Sequence, residues 1–150
     1  MFKKEDIKKA LWTKVDLESQ YWVVLSWFAW DDLLFENGVI FWDKKFVDNF
    51  STLYDQFVLT NKKINVLVID IVFTPVEIKT PDEVSKIDLL NEWIFVWDVN
   101  NSNGSFVLPN MSWIKNLKDA ISKIKEKVQF SSKKINMYKF KTKRFTFYKD

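Results

Sequence analysis

"KINVLVIDIVF", residues 63–73, is the stretch on which the fold turns. From Val66 to Phe73 every residue but one is apolar, and β-branched side chains dominate. A strand with one wet face alternates apolar and polar residues, so a run apolar on both faces belongs in the middle of a sheet. The exception is Asp70. A carboxylate left unpaired in such a place is costly, so it needs a partner, a metal ion or an exposed strand end.

Working outward, the elements follow from periodicity and turn chemistry. Upstream, residues 4–12 predict a short helix with Ile7 and Leu11 on one stripe. "YWVVLSWFAW" (21–30) suits either a buried strand or a buried helix. In "DLLFENGVIFW" (32–42), Asn37-Gly38 predicts a two-residue turn between strands near 32–36 and 39–42. Asp43 is placed to cap a helix over "KKFVDNFSTLYDQF" (44–57). Its apolar residues Phe46, Val47, Phe50, Leu53, Tyr54 and Phe57 recur every three or four positions.

Downstream, Pro75 and Pro81 are expected to bracket a break, with a short helix over 82–90 through Val84 and Ile87. "WIFVWDV" (93–99) predicts a strand that "NNSNG" (100–104) turns into "SFVLP" (105–109). Ser112 is placed to cap a helix carrying Trp113, Ile114, Leu117, Ile121, Ile124 and Val128 on one face. The chain closes on "INMYKF", "KTKR" and "FTFY" (135–148), which suggests a pair of strands. Together these predict one compact α+β domain over residues 1–150, a mainly antiparallel sheet with helices packed on one face.

Composition narrows the chemistry. The 150 residues are 47% hydrophobic and 29% charged, as expected of a globular chain, and 17% aromatic, an excess that can serve a core or an interface. Neither Cys nor His occurs, which removes disulfides, thiolate nucleophiles, imidazole acid–base catalysis and nitrogen or sulfur metal sites. Any metal would need oxygen ligands. With two glycines there is no phosphate-cradling loop or dinucleotide fingerprint. No cofactor is implied. No apolar run is long enough to span a bilayer as a helix, and "MFKKEDIKKALW" resembles an amphipathic helix more than a leader, so the expectation is a cytoplasmic protein.

The net charge of +3 conceals an asymmetry. Residues 1–112 hold eleven basic and seventeen acidic residues, a balance of −6, while 113–150 hold twelve and three, a balance of +9. Such a separation can steer an acidic partner, unless the basic end folds back beside the acidic one.

Three site readings follow. Asp70, with Glu77 and Lys79 in "VEIK", has the residue types of a Mg²⁺-dependent nuclease, an upstream carboxylate with Glu-x-Lys; the alternative is exposed structural charge. Asp31, Asp32 and Glu36 beside Trp27 and Trp30 have the types for glycoside hydrolysis, but a polar break in the chain explains them as well. The closing segment offers Lys139, Lys141, Lys143, Arg144 and Lys149 for contact with an anionic surface and Tyr148 as an exposed ring. Alternation places Tyr138 and Phe140 on the core side, with Lys139 and Lys141 on the surface; Phe145 and Phe147 are also assigned to the core. Because rings and cations then separate, the favoured reading is a non-enzymatic protein-interaction or self-assembly module engaging an acidic surface. Salt-sensitive DNA or RNA binding comes second and the nuclease third.

Overall fold

The computed structural model describes residues 2–29, 32–39, 44–59, 63–98, 103–127 and 135–149, with backbone alone at 32–39, 103 and 127. Residues 66–73 of that stretch lie in strand β3, Val66–Ile78, which is central as their composition requires. The order of elements is α1 Lys4–Trp12, β1 Trp22–Ala29, β2 Asp32–Val39, α2 Phe46–Leu53, β3, α3 Pro81–Ser85, β4 Trp93–Asp98, β5 Asn103–Val107, α4 Leu117–Lys127 and β6 Ile135–Tyr148. The six strands form one sheet in the order β2-β1-β3-β6-β4-β5. The fold is α+β, an antiparallel sheet with helices packed on one face.

Contacts along the chain divide it into two units, 1–73 with 142–150, and 74–141. In the first, β1 pairs antiparallel with both β2 and β3. Val23, Leu25 and Trp27 of β1 and Leu67, Ile69 and Ile71 of β3 share a core with Ile7 and Leu11 of α1 and Phe46, Phe50 and Leu53 of α2. After Leu53 the helix widens into a π-type turn, Tyr54–Val58. The Tyr54 hydroxyl donates to the Phe2 carbonyl, tying the start of the chain to this turn. Asn49, fully buried in α2, donates to the Tyr21 carbonyl at 2.8 Å and fixes the entry into β1.

In the second unit, β4 lies between β5 and β6. Ile94 and Val96 of β4 and Val107 of β5 pack with Ala120 and Ile124 of α4. The alternate residues of β4 make aromatic contacts: Trp93 meets Phe106 at 5.5 Å and Phe140 at 5.8 Å, and Phe95 meets Tyr138 at 6.3 Å. Aromatic surplus thus serves as the side of a sheet that α4 does not cover.

Several boundaries differ from the sequence expectation, each for a local reason. Asn37-Gly38 is not a turn: Asn37 faces Leu25 and Gly38 faces Val24 within the β1–β2 ladder. Ala29 faces Asp32 at the other end of that ladder. Residues 40–42, Asp31 and Asp43 lie outside the described residues, and the N-cap position of α2 is Lys45. Pro75 does not end β3, which passes it with a left-handed kink at Thr74, φ 42°. Pro81 instead opens α3, where Thr80 and Glu83 form a reciprocal capping box that starts a helix ending at Ser85.

Helix α4 begins at Leu117 and leaves Trp113 and Ile114 outside it. Asn116 accepts from the Asp119 N–H at 2.9 Å while Asp119 accepts from the Lys115 N–H at 3.0 Å, a stronger start signal than Ser112. "KTKR" is no turn either; residues 135–148 form one strand of 14 residues.

Asn103-Gly104 likewise opens β5, with Gly104 opposite Trp97. A Cβ at Gly104 would meet the Phe95 ring at 2.6 Å, the Trp97 ring at 2.7 Å and the Val96 carbonyl oxygen at 2.9 Å. The glycine makes room for the two rings, which stack at 6.2 Å. Gly104→Ala should therefore destabilise the protein by about 1–3 kcal/mol through overpacking, read as a lower midpoint in urea.

Candidate functional site

Asp70 and the middle of β6 explain each other. Asp70 faces Val24 in the β1–β3 ladder and is fully buried. Both its oxygens are engaged. Arg144 donates through Nε to Oδ1 at 2.9 Å and through Nη2 to Oδ2 at 3.0 Å, and the Thr142 hydroxyl donates to Oδ1 at 3.0 Å. The fork geometry of guanidinium matches a carboxylate in both distance and plane. Its carboxylate partner raises the Arg144 pKa, and burial opposes that only in part. Half of the Arg144 side chain, 52%, stays exposed, so the group reaches from a buried acid to solvent.

The neighbouring contacts set the direction of β6 against β3. The Lys149 N–H donates to the Asn65 carbonyl at 2.9 Å, and five residues further along β3 Asp70 meets Arg144, five residues back along β6. That is the antiparallel sense.

Among the nuclease candidates, Glu77 and Lys79 are brought together as an ion pair at 3.4 Å, as their i, i+2 spacing suggests. Asp70 is bound by Arg144 and Thr142. Among the described residues no group of three or more acidic side chains is placed to hold a metal ion. Asp98, the second acid of an apolar strand, is also fully buried.

The closing basic residues divide by environment. Lys139 is drawn inward and paired with Glu92 at 3.2 Å, contrary to the expectation of a surface lysine. Its tip finds a carboxylate at the end of its apolar stem. Lys141, Lys143 and Lys149 are exposed, and Tyr148 is 73% exposed, as expected of the free ring. Phe140 is buried, and Phe145 and Phe147 pack partly buried against the core of the first unit.

Alternation does not separate rings from cations throughout. Lys143 and Phe145 have the same parity, and the Lys143 ammonium stands 5.6 Å from the Phe145 ring centre. The Lys14 ammonium stands 5.9 Å from the same ring. Because the expected turn at "KTKR" is absent, one strand carries both sets through.

The charge asymmetry of the sequence is largely folded away. The first unit holds twelve basic and twelve acidic residues, the second eleven and eight. Exposed cations remain at the end of β6 and, in the second unit, at Lys115, Lys118 and Lys125.

Two exposed tryptophans could not be named from pattern alone: Trp12, 74% exposed, and Trp113, 57% exposed. Trp12 was legible in part, since it falls off the Ile7–Leu11 stripe. It lines a groove of about 690 Å³ together with Val15, Leu17 and Val47. The contact of Lys14 with Phe145 had no signal in the sequence, because it joins segments 131 residues apart.

No family model matches the chain, and no curated protein does. Among solved structures it is similar to the crystal structure of an uncharacterized protein from Pyrococcus horikoshii. The two share 13% identity at a TM-score of 0.66, over 95% of this chain and 86% of that one. At this identity the likeness is one of fold alone. Among the described residues no helix is long and apolar enough to cross a membrane.

Arg144→Ala removes the ionic partner of a fully buried carboxylate. It should cost about 3 kcal/mol, at the low end for a broken buried pair because Thr142 keeps one bond. The double variant Asp70→Asn, Arg144→Gln should lose less than the sum of the two single changes. Urea unfolding of all three variants measures that coupling.

Proposed function

We propose that this chain is a non-enzymatic interaction module that engages an acidic protein surface through the exposed end of β6. The observation that carries the reading is Tyr148, 73% exposed at the end of a strand whose Lys143 and Arg144 are also exposed, as is Lys149 just beyond it. Tyrosine and arginine supply much of the energy of protein interfaces, because a rigid ring or a planar fork gives large contact at low entropic cost. Arg144 is already fixed by Asp70, so ordering it costs a partner little. Lys139, committed to Glu92, is not part of the contact surface. Lys141 is exposed in the second unit and extends the basic character of the strand.

The test is binding of a labelled polyglutamate peptide and a labelled single-stranded oligonucleotide of equal charge, followed by anisotropy across a salt series. The expected result is preference for the peptide, weakening with salt, and a loss of about tenfold in the double variant Lys143→Glu, Lys149→Glu, as two reversed contacts would give. Preference for the oligonucleotide, with an affinity falling steeply with salt, moves the assignment to nucleic-acid binding. Absence of binding to either at low salt overturns both readings.

A further inference from the structure

The contact between α1's trailing end and β6 places two like charges on one ring. Lys14 and Lys143 come from segments 129 residues apart, and their ammonium groups stand 5.9 Å and 5.6 Å from the centre of Phe145. The sum of those distances, 11.5 Å, is the greatest separation the two nitrogens can have. That is comparable with the Debye length of about 8–10 Å in physiological salt, so each cation feels the other.

Neither lysine forms an ion pair with a carboxylate among the described residues. This sets them apart from Lys4, Lys8 and Lys45 of the same unit, each of which is paired with an acid. Both are exposed, while Phe145 is half-buried and fixed against the core. The fold thus gathers on a rigid aromatic base two exposed cations that have no carboxylate partner among the described residues.

We infer that Lys14 and Lys143, seated on Phe145, form a two-cation cradle for a pair of carboxylates on an acidic protein partner. The inference rests on the interaction reading above and adds to it a residue, Lys14, that lies outside the basic end of the sequence. The two ring distances put an upper limit on the spacing of the ligand. Residues i and i+2 of an extended peptide project to one side about 7 Å apart, which lets two acids meet two ammonium groups within the available separation. A single carboxylate leaves one cation unmatched.

The experiment uses the full chain and two synthetic extended peptides, one with two glutamates separated by a single serine and one with a single glutamate in the same serine-rich background. The two-glutamate peptide should bind more tightly, and Lys14→Gln should lower its affinity by about threefold, as loss of one exposed ion pair does. The advantage of the second glutamate should then disappear. Lys14→Arg should restore the affinity, since charge and reach are kept. The position is exposed, and unchanged urea midpoints verify that each variant is folded.

The cradle is overturned if Lys14→Gln leaves both affinities unchanged while Lys143→Glu with Lys149→Glu still weakens polyglutamate binding about tenfold. In that case the interaction reading stands without it. Equal affinity for the two peptides also overturns it. A dinucleotide that displaces the two-glutamate peptide at equal concentration assigns the cradle to phosphate and overturns the protein partner.

Discussion

The bond between Asp70 and Arg144 is the constraint around which the first unit is arranged. Asp70 is fully buried on a strand that is otherwise apolar, and nothing on its own strand can neutralise it. A carboxylate there survives only if another segment supplies donors, and β6 supplies three hydrogen bonds, two from Arg144 and one from Thr142. A shift of β6 by one residue would turn Arg144 to the opposite face and leave the acid bare. The pair therefore fixes register as well as charge, a use for which buried ion pairs are better suited than for raw stability.

The same bond accounts for a segment that looked like a turn. "KTKR" interrupts two aromatic runs, and four polar residues between apolar ones ordinarily signal a loop. Here they are the middle of a long strand, with Thr142 and Arg144 turned to Asp70 and Lys143 over Phe145. On one parity Phe140 is buried in the second unit; on the other Phe145 and Phe147 are half-buried in the first.

The two Asn-Gly pairs teach a related lesson. Each is a strong local signal for a hairpin, and both lie within strands. At Gly104 the reason is steric, since the Phe95 and Trp97 rings occupy the space of a side chain. Local turn chemistry lost to cross-strand packing, which acts between residues that the sequence does not place side by side.

Hydrophobic periodicity alone determined the helix over 4–12, the central strand through Asp70, the α2 stripe and the strand over 93–98, because each depends on residues within a few positions of one another. It also determined that Asp70 needed a partner, a metal ion or an exposed strand end, since the cost of a bare carboxylate in an apolar strand is independent of topology. Only the tertiary structure decided which partner that is, because Arg144 lies 74 residues away and reaches Asp70 through a crossover that places the final strand beside β3. For the same reason the charge asymmetry of the sequence did not survive folding. Arg144 and Lys139 of the basic end pair with Asp70 and Glu92, acids 74 and 47 residues away along the chain.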